Sequence, residues 1–187
     1  MTHSHLPHPD KTATSVRCAI ITVSDTRTEA TDKSGQIMQS LLSAEQHCIA
    51  HYNIIPDDPA LIADQVKQLA QNPQIQAVLL NGGTGIAPRD TTYDAIAQLL
   101  TKTLPGFGEI FRQLSYTEIG SRAIASRAIA GIRTVPIDND SGDSSGDLSC
   151  AHTLIFSVPG SSKAVSLAMK ALIIPELIHL TQLLKEE

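Results

Sequence analysis

Hydrophobic positions along the chain fall into two alternating kinds of run. Residues 16–23, 49–55, 75–80 and 153–158 are short and nearly continuous in apolar side chains, the pattern of strands buried on both faces of a parallel sheet. Between and after them apolar residues recur at helical spacing: Ile37, Met38, Leu41 and Leu42; Leu61, Ile62, Val66 and Leu69; Tyr93, Ile96, Ala97 and Leu100; residues 110–119; and residues 164–172. Pro175 restarts a last helix carrying Leu177, Ile178, Leu180, Leu183 and Leu184. Strands alternating with helices predict one three-layer α/β/α domain over residues 15–187 with a mostly parallel sheet.

Two stretches fall outside that pattern. Residues 1–14, with His3, His5, His8, Pro7 and Pro9, bury too little apolar surface to fold and read as a disordered tail. Residues 134–150 read as a flexible acidic insertion, with Asp138, Asp140, Asp143 and Asp147 among Ser and Gly. A calcium loop there lacks a closing Glu at the needed spacing.

The chemistry concentrates where strands end. Gly82, Gly83 and Gly85 follow the strand at 75–80; they permit positive φ and close approach of a ligand, so the loop can form an anion-binding nest ahead of a helix N-terminus. A merely tight turn is the plainer reading, because Pro88 stands where a dinucleotide loop has its last glycine and no P-loop Lys follows. Thr91 and Asp94 have capping-box spacing, and Asp90 is either a ligand-facing carboxylate or a helix cap. Ser24 and Asp25 end the first strand, as site residues or as turn formers. Asp58 suits the cap before Pro59, which leaves Asp57 as a second strand-end carboxylate. Asp57 and Asp90 together can hold a divalent cation bridging phosphates. The turn from Pro159 and Gly160 through Ser161, Ser162 and Lys163 is a second phosphate-compatible loop. Glu109 complements a helix dipole, and Arg127 either meets a phosphate or is a solvated charge on a small-residue helix.

Composition narrows the classes. In 187 residues the net charge is −5 with no basic run, and aromatics are scarce, which argues against a nucleic-acid surface. No stretch reads as a membrane span or secretory segment. Cys18, Cys48 and Cys150 are odd in number and far apart, as expected of thiols in a reducing cytoplasm.

Taken together, Thr22-Val23-Ser24-Asp25, Asp32-Lys33-Ser34-Gly35, Pro56-Asp57, Gly82-Gly83-Thr84-Gly85 with Pro88-Arg89-Asp90, Pro105-Gly106-Phe107-Gly108-Glu109, Ser126-Arg127-Ala128 with Gly131, and Thr153-Leu154-Ile155 with Pro159-Gly160 resemble the MoaB/MogA family of molybdenum-cofactor biosynthesis proteins over about residues 16–180. The resemblance implies a molybdopterin-binding α/β domain, usually a homotrimer or hexamer. In the adenylylating branch the terminal phosphate of molybdopterin attacks the α-phosphorus of Mg-ATP. Asp57 and Asp90 match the functional aspartates there, with Mg2+ held through the phosphates. The substrate-binding positions are Ser24, Asp25, Asn81, Gly82, Gly83, Thr84, Gly85, Arg89, Glu109, Arg127, Pro159, Gly160, Ser161, Ser162 and Lys163. Some B-type members lack the Arg-Asp pair, which is intact here. Asn81 in place of Thr or Ser, Tyr93 in place of Pro, and the acidic insertion depart from the pattern. The alternative is a non-catalytic molybdopterin carrier or assembly protein.

Overall fold

A computed structural model describes residues 15–136 and 150–185 of the chain. The tail at 1–14 and residues 137–149 of the acidic stretch lie outside the described residues.

The apolar runs become β1 (Arg17–Val23), β2 (Cys48–Ile55), β3 (Ala77–Asn81) and β6 (Cys150–Val158), in a six-stranded sheet ordered β2-β1-β3-β6-β5-β4. These four run parallel, with Val23 opposite Ile55, Thr22 opposite Asn81, and Asn81 opposite Val158. Their carboxyl ends therefore form one edge, and the loops after β1, β2, β3 and β6 open side by side. This is where an open α/β sheet binds ligands.

Each central strand buries both faces. Cys18 and Ile20 of β1 and Leu79 of β3 join a core with Met38 and Leu42 of α1 (Lys33–Ala44), Phe111 of α4 (Pro105–Ile119), and Val165 and Leu177 of α5 (Ser162–Ala168) and α6 (Ile174–Leu183). Ala19, Ile21, Val78 and Leu80 join another with Ile62 and Val66 of α2 (Pro59–Gln71) and Ile96 and Leu99 of α3 (Thr92–Leu99). Alternate residues thus pack on opposite helical layers, which is why the runs are continuous.

The other half of the sheet departs from the sequence reading. Residues 121–130 are not a small-residue helix: a short 3-10 turn at Gly120–Ala125 leads into β5 (Ile129–Pro136), antiparallel to β6, with β4 (Lys102–Thr103) at its far edge. Thr134, Val135, Pro136 and Cys150, read as insertion, belong to strands, and Pro136 pairs with Cys150. The reason is tertiary. β5 alternates small and branched residues that read as strand only beside Leu154, Ile155 and Phe156.

Two helix expectations also change. Thr91 precedes α3 without a side-chain cap bond, so no capping box forms. Pro175 does not start a separate helix; α5 runs into α6 through one π-helical turn, Met169–Ile173. Pro175 has no N–H for the carbonyl four residues earlier, and a wider turn accommodates that loss. The continuous helix Ser162–Leu183 is long and apolar enough, by length and composition, to cross a membrane. In this fold its Val165, Ala168, Met169, Ile173 and Leu177 are buried in the core that packs on the sheet. Cys18 and Cys48 are free thiols, and burial, with a smaller contribution from Cys48, pushes the Cys18 thiol up to about 12.

Candidate functional site

The strand-end loops enclose an open cavity of about 510 Å3. Ser24 and Asp25 come from the β1 loop, Asp57 from the β2 loop, Gly82, Gly83, Thr84, Gly85, Arg89 and Asp90 from the β3 loop, and Pro159 and Gly160 from the β6 loop. Arg127 closes the wall.

Glycine is required at two positions for stated reasons. Gly82 has φ +106° and Gly83 φ +59°, where other residues are strained. A methyl group at 83 would collide with Asp57 Oδ2 and Thr92 Oγ1, and one at 85 would sit 2.5 Å from Asp90 Oδ2. The loop therefore lacks side chains where the two carboxylates need room. Gly82 N–H already donates to Val158 O at 3.1 Å, so the expected nest loses that donor.

The carboxylates are held at one oxygen each. Asp57 Oδ1 accepts from Thr91 N–H at 3.2 Å and from the Thr91 hydroxyl at 2.8 Å, while Asp57 N–H donates to Asp25 Oδ1 at 3.1 Å. Asp90 Oδ2 accepts from Ala87 N–H at 3.0 Å and closes the 87–90 turn. Asp90 is thus not the α3 cap, whereas Asp58 is the α2 cap, accepting from Ala60 and Leu61 N–H. Among the described residues Asp57 Oδ2 and Asp90 Oδ1 carry no hydrogen bond, which leaves one oxygen of each carboxylate for a ligand.

Arg127 lies on the coil after the 3-10 turn and grips the glycine loop. Its guanidinium donates to Thr84 O at 2.9 Å and Gly85 O at 2.7 Å, pairs with Asp94 at 3.2 Å, and stacks 4.6 Å over the Tyr93 ring. This is a clamp on the main chain rather than a free cation.

Beneath the β1 and β6 loops lies a second polar cluster that sequence reasoning missed. Asp32 is fully buried, caps α1 through Gly35 N–H, and accepts from Thr22, Tyr52 and Arg27. Burial alone pushes its carboxyl up, but those three hydrogen bonds and the Arg27 charge outweigh it and hold the group below the usual carboxylate range. Burial, and then the bond and charge of Asp32, push the Tyr52 phenol up. Arg27 donates onward to Asn81 Oδ1 at 3.4 Å and to Gly160 O at 2.8 Å, tying the β6 turn to the β1 loop.

Several sequence candidates do not reach the cavity. Asn81 is buried below it and donates to Thr22 Oγ1, because a strand's last residue alternates into the core. Ser161 caps α5 through Ala164 N–H. The Ser162 hydroxyl lies 3.4 Å from that of Ser34. Lys163 and Glu109 are exposed and line no part of the cavity. Conversely Thr26, Arg27, Ile119, Arg122 and Ala125 line it without having been singled out, and Ser126, quoted only within a family motif, lines it as well. Arg27 had a signal, being four residues past the end of β1. Arg122 had none, because the 3-10 turn reaches the cavity only through the antiparallel half of the sheet.

A family model described as a probable molybdopterin binding domain matches residues 19–179. The molybdenum cofactor biosynthesis protein B of Bacillus subtilis is 50% identical over 181 residues, 96% of each chain. A crystal structure of a molybdenum cofactor biosynthesis protein B is 45% identical, covers 92% of this chain and 98% of its own, and superposes with a TM-score of 0.79. The tungsten cofactor synthesizing protein MoaB of Pyrococcus furiosus is 32% identical over 93% of this chain and 99% of its own, with a TM-score of 0.74. This chain therefore belongs to the MoaB/MogA family of molybdenum-cofactor biosynthesis proteins.

Proposed function

We propose that this protein adenylylates molybdopterin with Mg-ATP in the cytoplasm. The observation that carries the reading is the convergence, in one cavity at the sheet's carboxyl edge, of two carboxylates with one unengaged oxygen each and a glycine loop that makes room for both. An oxygen of the molybdopterin phosphate forms a bond to the α-phosphorus of ATP, the bond from that phosphorus to the β-phosphate bridge breaks, and pyrophosphate leaves. Such a transfer needs alignment and charge neutralisation more than covalent help.

The donor set fits a magnesium ion held partly by substrate. No group of three His, Cys, Asp or Glu gathers among the described residues, so Asp57 and Asp90 supply protein oxygens and phosphates supply others. When bound, the ion neutralises phosphate charge. The chain's own contributions are the carboxylate placement, the main-chain N–H groups of Gly83 to Gly85, and Arg89 and Arg122 on the wall. The small donor set also favours the second reading, a non-catalytic molybdopterin carrier or assembly protein with the same pocket.

Adenylyl transfer to purified molybdopterin separates the two. Asp57→Asn and Asp90→Asn keep the acceptors for Thr91 and Ala87 and remove one charge each; each is expected to lower transfer about a hundredfold or more, with much less effect on molybdopterin binding. Parent-like rates in both variants, or no ATP turnover in the parent, give the case to the carrier reading. A homotrimer or hexamer is proposed as well, from the exposed Tyr116, Ile119 and Ile124; a monomer by light scattering at micromolar concentration overturns it.

A further inference from the structure

Thr91 stands where a helix cap is expected, yet its hydroxyl makes no bond to the first turn of α3. It reaches across to the β2 loop instead. The hydroxyl donates to Asp57 Oδ1 at 2.8 Å, and the Thr91 N–H donates to the same oxygen at 3.2 Å. From the other side, Asp57 N–H is fixed on Asp25 Oδ1 at 3.1 Å. Asp57 is thus held at its main chain by the β1 loop and at one carboxylate oxygen by the residue that opens α3. Its Oδ2 lies against Gly83, where a methyl group would displace it. A threonine that gives up a local cap for a contact 34 residues away breaks a local rule at a functional site, which is where such breaks concentrate.

We propose that Thr91 is a positioning residue for Asp57: its two donors pin Oδ1, so that Oδ2 is presented to the phosphates of the nucleotide. The proposal rests on the adenylylation reading for its ligand, and on geometry alone for the positioning. A carboxylate gripped this way needs no reorganisation when the ligand arrives. Without the hydroxyl, a single N–H at 3.2 Å leaves rotation about the Cβ–Cγ bond weakly opposed.

The test compares Thr91→Val, which keeps shape and N–H but loses the hydroxyl, with Thr91→Ser, which keeps the hydroxyl, each alone and on an Asp57→Asn background. In adenylyl transfer, Thr91→Val is expected to lower kcat about tenfold with the KM for molybdopterin unchanged. Thr91→Ser should stay within about twofold of the parent, and Thr91→Val should cost nothing further once Asp57 is Asn, because residues acting through one another are non-additive. Parent-like kcat in Thr91→Val, or full additivity in the double variant, overturns the proposal. Crystal structures of the parent and Thr91→Val in one lattice give a readout independent of turnover. The Asp57 carboxylate should leave its parent orientation in the variant, and an unchanged carboxylate overturns the positioning role. If the parent turns over no ATP, the adenylylation reading falls, while the crystal comparison still decides the positioning. Thr91→Ala replaces Thr91→Val in both arms should the latter fail to fold.

Discussion

Two acidic regions, one lining the cavity and one buried beneath it, are built on opposite principles. Below the β1 and β6 loops, Asp32 is fully buried with all its donors in place: Thr22, Tyr52, Gly35 N–H and Arg27. Around the glycine loop, Asp57 and Asp90 are half-buried and each has one oxygen that no described group satisfies. A carboxylate whose acceptors are all filled holds the fold, and one with an acceptor left over is available to a ligand. Type and place along the chain do not tell them apart, since all three lie between the end of a parallel strand and the start of the next helix.

The largest expected effect breaks the comparison in both directions. Asp32→Asn removes the charge facing Arg27 and turns one acceptor into a donor inside a dry cluster; about 3 kcal/mol of stability should be lost. Chemical denaturation checks this. The Asp57→Asn and Asp90→Asn variants, expected to lose activity under the proposed function, should unfold within about 0.5 kcal/mol of the parent. Equal stability losses in all three would mean that the regions are not different in kind.

A smaller pair uses the glycines that face those carboxylates. A methyl group at 35 would run into Asp32 Oδ2, with the Tyr52 ring at 2.9 Å, and one at 83 would run into Asp57 Oδ2. Gly35→Ala should therefore cost about 2 kcal/mol through overpacking of a buried cluster. Gly83→Ala should cost a similar amount through its positive φ and collision. Only the second should also alter molybdopterin or ATP binding, as read by thermal shift with each ligand. Smaller again are the two arginines that tie the loops. Arg27→Lys and Arg127→Lys keep charge but lose the planar fork, and each should lower stability by about 1 kcal/mol, with Arg127→Lys alone loosening the 82–90 loop in hydrogen exchange.

How much of this was readable beforehand follows from the same contrast. β1, β2, β3 and β6 were legible because burial on both faces leaves a continuous apolar run, and the strand-end rule then placed Ser24, Asp57 and the glycine loop on one edge. β5 was not, because Ala130, Gly131 and Arg133 acquire strand character only beside β6. Its loss from the reading carried Arg122 and the true role of Arg127 with it. Asn81 and Ser161 were assigned to ligands by their place in a motif, whereas the alternation of a strand and the need of a helix for a cap decided their bonds. Thr91 was misplaced for the converse reason, its sequence position promising a cap that the fold diverts to Asp57.

The smallest effect is a pH dependence that should originate away from the open carboxylates. His47 is buried, and its Nδ1 accepts from Val16 N–H at 3.2 Å. Burial lowers its pKa, with Glu45 opposing in part. The folded state therefore favours the neutral ring, while the unfolded chain takes a proton near the ordinary value of about 6.5. More protons are bound unfolded than folded below that value, so this contribution to stability is present above about pH 6.5 and is lost as pH falls toward the folded value. Asp32 gives a second limb of the same sign at lower pH. Its folded carboxyl is depressed, so its contribution is present above the unfolded value of about 3.9 and is lost as pH falls through the folded one. Thermal melts between pH 8 and 3 should therefore show two descending limbs. His47→Asn keeps an acceptor near Nδ1 but cannot titrate, and should flatten the upper limb alone; Asp32→Asn, already destabilised, should flatten the lower. A parent whose melting temperature rises on acidification from pH 8 to 5 would contradict the buried neutral ring. An upper limb that survives His47→Asn would assign it to another group.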